Sequence, residues 1–370
     1  MYLEKIHLVN YRNIIETLHQ LNPNINILLG YNGQGKTNFI ESIYILGTGS
    51  SHKNNVDREL INWQHQKALI RVLLKRRDQD LKISLLIDRS GKKAEINDTP
   101  LARISELIGN INVVLFSPED LNLVKGGPYY RRRFIDLEIS QVSPYYYYQL
   151  QKYNHVLKQR NNLLKEIRDK KSDDKLLEMW DQQLIETGSK IILKRIKVID
   201  KLKILARLSQ RQITNGSENL SVEYDLSLKE VLGDEEQTRL IFKHLLTNNR
   251  KEEIKRGYTL FGPHRDDLVF KVNNVDIRKY GSQGQQRTTS LALKLAELEY
   301  MKSETGEYPI LLLDDVFSEL DQKRSNTLLN LIDGKIQTFI TTTDLTTLDN
   351  LKQDNYSFFQ VEKGVLTLKG

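Results

Sequence analysis

Two short segments combine glycine with small or amide side chains directly before a helical pattern, an arrangement that suits anion binding. The first, GYNGQGKT, lies between the apolar run NINILLG and the helix-patterned NFIESIYIL. It fits GxxxxGK[ST], in which backbone N–H groups surround phosphate oxygens, the lysine reaches the β- and γ-phosphates and the hydroxyl binds magnesium. Its residues are Gly30, Tyr31, Asn32, Gly33, Gln34, Gly35, Lys36 and Thr37. Since a structural turn would not need the Lys–Thr pair, the sequence predicts an ATP and Mg²⁺ site.

The second segment is SQGQQR, from Ser282 to Arg287, and it precedes a helix with apolar positions Leu291, Leu295 and Leu298. Such a helix start presents backbone N–H groups and the Ser282 hydroxyl to an anion. An ordinary turn with a helix cap explains the same pattern equally well. By itself, this segment therefore predicts only a helix N-terminus.

An acidic pair follows the near-continuous apolar run YPILLL, at Asp314 and Asp315. In an ATPase with a glycine loop, the first carboxylate belongs on the magnesium side, and the second is placed to orient or deprotonate the attacking water. An acidic pair at a strand end is otherwise an ordinary turn. Because aspartate is one methylene shorter than glutamate, we expect slow turnover, below about one per second.

Composition excludes several classes of protein. The 370 residues contain no cysteine and seven scattered histidines, so disulfides and thiolate metal sites are excluded and any metal must be held by oxygen. No apolar run approaches the roughly 18 residues of a membrane span, and the first residues lack a signal-peptide layout. We therefore expect a cytoplasmic protein of two or three domains.

The net charge of +7 is unevenly distributed along the chain. From Arg131 to Gln210 there are 18 Lys and Arg against 10 Asp and Glu, and the rest of the chain is close to neutral. This asymmetry favours a polyanionic partner such as nucleic acid, although a solvated basic helix surface is an equal alternative.

The pattern of elements predicts an α/β fold in three parts. Residues 1–130 and 246–370 contribute the two halves of a head with a mixed sheet and an antiparallel lobe, and 131–245 form a helical insert. Within the insert a heptad-like seam, interrupted at Arg160, predicts two long helices folded back as a coiled-coil-like arm, and a plain helical bundle is the alternative. The seam positions are Leu150, Tyr153, Leu157, Leu164, Ile167, Leu184, Ile192, Ile196 and Ile199.

The order of these motifs resembles the ATP-binding-cassette ATPases, in their SMC-like branch of chromosome maintenance and break repair. Further segments make the resemblance specific to the bacterial recombination mediators of that branch, across almost the whole chain. These segments are FSPEDLNLVKGGPYYRRRFID, GYTLFGPHRDDL, GSQGQQRT and LLLDDVFSELDQ.

The resemblance implies a slow, DNA-stimulated ATPase whose hydrolysis acts as a timer. ATP would close a homodimer on duplex or gapped DNA, and with RecO and RecR the protein would load RecA onto single-stranded gaps during repair, replication restart and the SOS response. It implies that Ser282, Gly284 and Gln285 contact the γ-phosphate held by a second copy, which would explain two anion sites in one chain.

The same resemblance places Arg12 and Asn13 near the nucleotide base and sugar, and Asp321 at the dimer interface. The chain departs from the transporter-type pattern, since Thr341 to Asp344 stand where a switch histidine is expected. The residue that senses the γ-phosphate is therefore unassigned. Candidate phosphate contacts for DNA, without sequence preference, are Arg131, Arg132, Arg133, Lys53 and Arg58.

Two alternatives from other classes stay open. The nucleotide-binding subunit of a membrane transporter would need a surface that couples to membrane helices, and usually the switch histidine. A nuclease-coupled repair ATPase would need a second acidic or histidine cluster for two metals, and the sequence shows none.

Overall fold

The structure is a computed structural model that describes residues 1–53, 56–229, 234–318, 320–332, 334–344 and 356–369. The chain divides into two compact units. Unit 1 comprises Met1–Asp120 and Glu297–Gly370, and unit 2 comprises Leu121–Ala296.

Unit 1 contains an antiparallel sheet in the order β2-β1-β4-β5-β6-β7. Its strands are β1 (Tyr2–Tyr11), β2 (Ile14–Gln20), β4 (Lys67–Lys75), β5 (Leu81–Asp88), β6 (Gly91–Ile96) and β7 (Thr99–Pro100). Apolar residues alternate with polar ones along these strands, so that Leu3, Ile6 and Leu8 of β1 are buried. Strands β4, β5 and β6 follow one another as an antiparallel meander, which forms the antiparallel lobe expected in the head.

The second sheet of unit 1 has the order β15-β14-β3-β13-β12-β8. Its strands are β3 (Ile25–Leu29), β8 (Val113–Phe116), β12 (Ile310–Asp314), β13 (Thr338–Thr342), β14 (Tyr356–Glu362) and β15 (Val365–Lys369). All neighbours pair in parallel except β14 with β15. The central strands β12 and β13 are buried at every residue, as expected for strands covered on both faces, and α1 (Lys36–Thr48) packs against β8, β12 and β13. Helix α9 (Gln322–Ile332) also belongs to unit 1.

Unit 2 is mainly helical. Its helices are α2 (Leu121–Lys125), α3 (Pro128–Val142), α4 (Pro144–Arg168), α5 (Leu177–Ile213), α6 (Glu235–Arg256) and α7 (Ile277–Tyr280), and α8 (Gln283–Thr305) runs from unit 2 into unit 1. A small antiparallel sheet has the order β11-β10-β9, formed by β9 (Leu220–Asp225), β10 (Asp267–Val272) and β11 (Val275–Asp276). Asn273 and Asn274 both have positive φ, which suits the tight hairpin turn that connects β10 to β11.

The two expected long helices are α4 and α5, and α6 packs against both. The buried positions of α4 repeat at spacings of three and four and include Arg160, which is fully buried. Arg160 donates to Asp181 Oδ1 at 2.7 Å, Glu253 Oε2 at 2.6 Å and Thr259 Oγ1 at 2.7 Å. The interruption of the seam is thus a buried charge whose partners come from other segments.

Unit 2 is larger than the insert expected at 131–245, because residues after 245 pack on the helices. The last part of α6 contacts α4 and α5, and β10 pairs with β9 along its whole length. The compact unit therefore ends within α8, at Ala296.

The segment GPHRDDL belongs to a buried polar network of unit 2. His264 Nε2 donates to the carbonyl of Thr259 at 3.2 Å, so its Nδ1 accepts from the Tyr153 hydroxyl at 2.6 Å. Asp266 accepts from Tyr224 Oη at 2.6 Å. Burial lowers the pKa of His264 to about 3, so the ring is neutral. This network gives the segment a structural role.

Candidate nucleotide site

The glycine loop connects β3 to α1 in unit 1. Gly33 has φ +79° and Gly35 has φ +115°, conformations that residues with a Cβ rarely adopt. Lys36 is buried, and its Nζ donates to the carbonyl oxygens of Gly30 at 2.7 Å and Tyr31 at 3.2 Å. The ammonium group is thereby held inside the curve of the loop, where a bound phosphate would replace the carbonyls as its partner.

Two neighbouring turns hold the loop in place through Gln34. Asn13 Nδ2 donates to the carbonyl of Gln34 at 3.1 Å, and the backbone N–H of Gly364 donates to the same oxygen at 2.8 Å. The N–H of Lys363 donates to Gln34 Oε1 at 2.7 Å. Asn13 also lies against Gly35, where an added Cβ would be 2.8 Å from Asn13 Oδ1. In this structure Asn13 therefore supports the loop, and its contact with a nucleotide stays a prediction.

The expected metal ligands meet at the start of α1 and the end of β12. Thr37 Oγ1 donates to Asp314 Oδ1 at 2.9 Å, although the two residues are far apart in sequence. A hydroxyl and a carboxylate are hard oxygen ligands that suit Mg²⁺, which usually keeps several waters and takes few protein ligands. Within the described ranges no three His, Asp or Glu side chains form a metal-binding group.

The second carboxylate of the acidic pair, Asp315, has φ +51°, a left-handed conformation that is uncommon outside glycine and often marks functional sites. Its backbone N–H donates to Thr341 Oγ1 at 2.8 Å. Burial raises the pKa of Asp315, and the charge of Lys36 opposes this shift. Burial also lowers the pKa of Lys36, with Asp315 and Asp314 opposing. Lys36 and the acidic pair therefore form one electrostatically coupled cluster.

Sequence reasoning missed Glu41, a fully buried carboxylate on α1. Arg12 binds it through Nε at 2.9 Å and Nη2 at 2.8 Å, Tyr11 Oη donates at 2.8 Å, and Ser51 Oγ donates at 2.5 Å. Burial opposes ionisation, but the bonds from Arg12 and Ser51 hold the pKa of Glu41 below its usual value. The sequence does carry one signal for this role: Glu41 is the single charged residue in the largely apolar segment FIESIYIL. The Arg12 guanidinium is thus engaged inside unit 1, and its nucleotide role stays a prediction.

The second anion-binding segment forms a capping box at the start of α8 in unit 2. Ser282 Oγ accepts from the N–H of Gln285 at 3.2 Å, and Gln285 Oε1 accepts from the N–H of Ser282 at 3.1 Å. Gln285 Nε2 also donates to Glu218 at 3.1 Å. Ser282 and Gly284 are exposed. The helix start is therefore held by side-chain hydrogen bonds and is also exposed, and its binding of an anion stays a prediction.

Asp321 lies directly before α9. Its Oδ1 accepts from the N–H of Arg324 at 2.9 Å, and its Oδ2 accepts from Arg324 Nη1 at 2.6 Å. These contacts are those of a helix cap, and the side chain is 57% exposed. A role at a dimer interface is compatible with that exposure and stays a prediction.

One expected DNA contact is wrong. Arg131 is 2% exposed and makes a bidentate pair with Asp267, at 2.7 and 2.8 Å, and it also donates to the carbonyl of Gly126 at 2.8 Å. Its position on α3 turns it into unit 2, so that it cannot reach a phosphate. Arg132 is half-buried and donates to the carbonyl of Asp266 at 2.8 Å. Arg133 is exposed.

The other two candidates for DNA phosphate contacts, Lys53 and Arg58, lie in unit 1 and are exposed. In unit 2, Arg131, Arg160 and Arg195 are all fully buried beside carboxylates, so part of the basic excess in that segment is structural. The charge count therefore overstates the surface that is open to a polyanion.

No helix in the described part of the chain is long and apolar enough to span a membrane.

Comparison with known proteins agrees with this arrangement. A family model described as RecF/RecN/SMC N terminal domain matches residues 2–367. The DNA replication and repair protein RecF of Halothermothrix orenii is 58% identical over 370 residues, with 99% of each chain covered.

Solved structures give the same result. A structure of the recombination mediator protein RecF-ATPrS in the RecFOR pathway has a TM-score of 0.93 at 34% identity, and the match covers 100% of this chain and 98% of that one. A Pyrococcus furiosus Smc head domain with an extended coiled coil has a TM-score of 0.56 at 16% identity, covering 100% and 96%. The latter supports the fold alone: an ATP-binding-cassette head with an inserted helical domain.

Proposed function

Since this chain belongs to the RecF/RecN/SMC N-terminal domain family, we propose that it is an ATP-dependent DNA clamp of recombinational repair and replication restart. The observation that carries the proposal is the convergence of Lys36, Thr37 and the Asp314–Asp315 pair at one edge of the parallel sheet, supplied by both ends of the chain. This is the arrangement that binds and hydrolyses a nucleoside triphosphate.

In the proposed nucleotide complex, the loop N–H groups and Lys36 bind the phosphates. Thr37 and Asp314 hold Mg²⁺, which would neutralise charge on the β- and γ-phosphates. Asp315 accepts a proton from the attacking water or orients it, and its raised pKa makes it a better base than an exposed aspartate. The short reach of Asp315 makes this hydrolysis slow, so that it acts as a timer.

The exposed capping box of Ser282 is the proposed contact for the γ-phosphate of a second copy. Because Ser282 and Gln285 fix each other, the helix start is organised before any anion arrives. ATP would then close a homodimer, with Asp321 of each copy at the interface, and hydrolysis would open it.

DNA is the proposed polyanion, bound through its backbone without sequence preference by Arg133, Lys53 and Arg58, with Arg132 contributing through its exposed part. The proposal that the protein binds duplex, single-stranded or gapped DNA rests on the family alone. So do the proposed partners RecO and RecR, the loading of RecA, the stimulation of hydrolysis by DNA, the SOS response and a cytoplasmic location.

The solution mass of the protein, measured by light scattering with and without ATP and Mg²⁺, tests the clamp. Three variants accompany the parent chain: Ser282→Arg, which places a bulky cation at the capping box; Lys36→Ala, which removes the phosphate contact; and Leu240→Arg. Leu240 is exposed on α6, so Leu240→Arg adds the same charge elsewhere on unit 2.

We expect ATP to double the mass of the parent and of Leu240→Arg. Ser282→Arg should bind ATP and stay monomeric, and Lys36→Ala should bind ATP weakly and stay monomeric. A parent that stays monomeric with ATP bound, or a Ser282→Arg variant that dimerises like the parent, would refute the clamp.

A further inference from the structure

Thr341 contacts both members of the acidic pair with a single hydroxyl. Its Oγ1 lies 2.9 Å from Asp314 Oδ1 and 2.8 Å from the backbone nitrogen of Asp315, and the residue is completely buried at the end of β13. A threonine hydroxyl has one proton to donate and two lone pairs to accept with. The Asp315 N–H must donate, so the hydroxyl accepts there and donates its own proton to Asp314 Oδ1, which is closer than its other acceptor, the carbonyl oxygen of Leu313 at 3.5 Å.

The strand register dictates this contact. β12 and β13 are parallel, and Asp314 is paired with Thr341 across the ladder. The neighbouring threonines have other surroundings: Thr342 Oγ1 donates to the backbone carbonyl of Asp344 at 2.6 Å, and Thr343 is exposed. Of the three threonines that replace the switch histidine of transporter-type cassettes, only Thr341 touches the acidic pair.

The two bonds of Thr341 act on different features of the pair. Asp314 Oδ1 accepts from Thr37 as well as from Thr341, so the carboxylate is fixed between the helix after the glycine loop and the neighbouring strand. Asp315 has φ +51°, which is unfavourable for a residue with a Cβ and persists only where the surroundings hold it. The bond from its N–H to Thr341 is such a constraint.

We infer that Thr341 is a positioning residue for ATP hydrolysis, which aims Asp314 at the metal and holds Asp315 in the backbone conformation that directs its carboxylate to the water. This inference rests on the proposed function. Thr341 itself acts on the nucleotide only through the two aspartates.

Three variants test the inference. Thr341→Val keeps the shape of the side chain and removes the hydroxyl, and Thr341→Ser keeps the hydroxyl. Thr342→Val removes a hydroxyl from the adjacent residue, which is also buried but does not touch the acidic pair. A common melting temperature for the variants would show that each is folded.

The first measurement needs no nucleotide: hydrogen exchange of the Asp315 amide. We expect roughly tenfold faster exchange in Thr341→Val, from the loss of one hydrogen bond, and parent-like exchange in the other two variants.

The second measurement is ATP hydrolysis under saturating conditions. We expect kcat to fall roughly a hundredfold in Thr341→Val, as for a displaced catalytic group, with Thr341→Ser close to the parent. The Mg²⁺ concentration needed for ATP binding should rise in Thr341→Val only.

Parent-like exchange and parent-like kcat in Thr341→Val would overturn the inference, as would equal losses in Thr341→Ser. Equal losses in Thr342→Val would show a general strand defect and also overturn it. A parent chain without hydrolysis would refute the proposed function instead, and the amide exchange would then still decide whether Thr341 holds Asp315.

Discussion

Alanine replacement of Arg131 and of Arg133, one at a time, separates a structural arginine from a proposed DNA contact two residues away. Both lie on α3 in the same run of three arginines. Arg131 is buried against Asp267, whereas Arg133 is exposed. We expect the first change to affect stability and the second to affect DNA binding.

The structure gives the size of each effect. Loss of one partner from a buried ion pair costs about 3–5 kcal/mol, since the remaining charge is left without compensation. The side chain of Asp267 is 18% exposed, so water can partly solvate it. We therefore place the cost of Arg131→Ala near the lower end of that range. For a unit of this size, about 3 kcal/mol corresponds to a fall in Tm of about 6–12 °C.

For Arg133→Ala, a change of stability within about 0.5 kcal/mol is expected, as for other surface substitutions. Loss of one phosphate contact would reduce the slope of log affinity against log salt concentration by about 0.9. The assays are thermal unfolding of both variants and fluorescence anisotropy with a gapped duplex across a salt series, at a temperature where both are folded.

A parent-like Tm for Arg131→Ala would refute the structural role of this arginine. So would a reduced salt slope in folded Arg131→Ala together with an unchanged slope in Arg133→Ala, because the DNA contact would then belong to the wrong arginine. A salt slope near zero for the parent would argue against backbone contacts altogether.

Three further outcomes follow from the structure. Arg160→Met should lower the free energy of unfolding by about 3–5 kcal/mol in urea titrations, because Glu253 is left buried without its cation, and a parent-like midpoint would contradict this. The folded state keeps His264 neutral down to pH about 3, whereas the unfolded side chain protonates near 6.5, so stability should fall as the pH drops through this window, by at most about 1.4 kcal/mol per unit. His264→Gln should flatten that part of the pH profile, and an unchanged profile would exclude His264 as its source. Lys36→Ala should weaken ATP affinity at least about tenfold in equilibrium titration, since a charge-assisted phosphate contact is lost, and unchanged affinity would show that the ammonium does not reach the phosphates.

Local patterns in the sequence were sufficient for several parts of this protein. The glycine loop and the apolar strand that ends at Asp314 each depend on a few consecutive residues with restricted backbone conformations or a clear period. The mixed fold and the SMC-like family followed from the order of such segments, and both are confirmed.

Tertiary structure alone decided what the charged and polar side chains do. The sequence presents Arg131 and Arg133 as equivalent members of a basic run, and only the packing of α3 against β10 buries the first beside Asp267. Arg160 appears as a fault in an apolar seam until Glu253, far along the chain, is brought to it.

The edge of the parallel sheet that carries Asp314 and Asp315 shows the same limit. Helical and strand periods place Thr37, Asp314 and Thr341 on their own elements, but carry no information on the register between parallel strands that are separated by a long crossover. Pairing of β12 with β13 places Thr341 against the acidic pair. The sequence by itself therefore determined which residue types suit phosphate and metal binding, and the sheet register decided that Thr341 contacts the acidic pair, because hydrogen bonds depend on distances that only the folded chain defines.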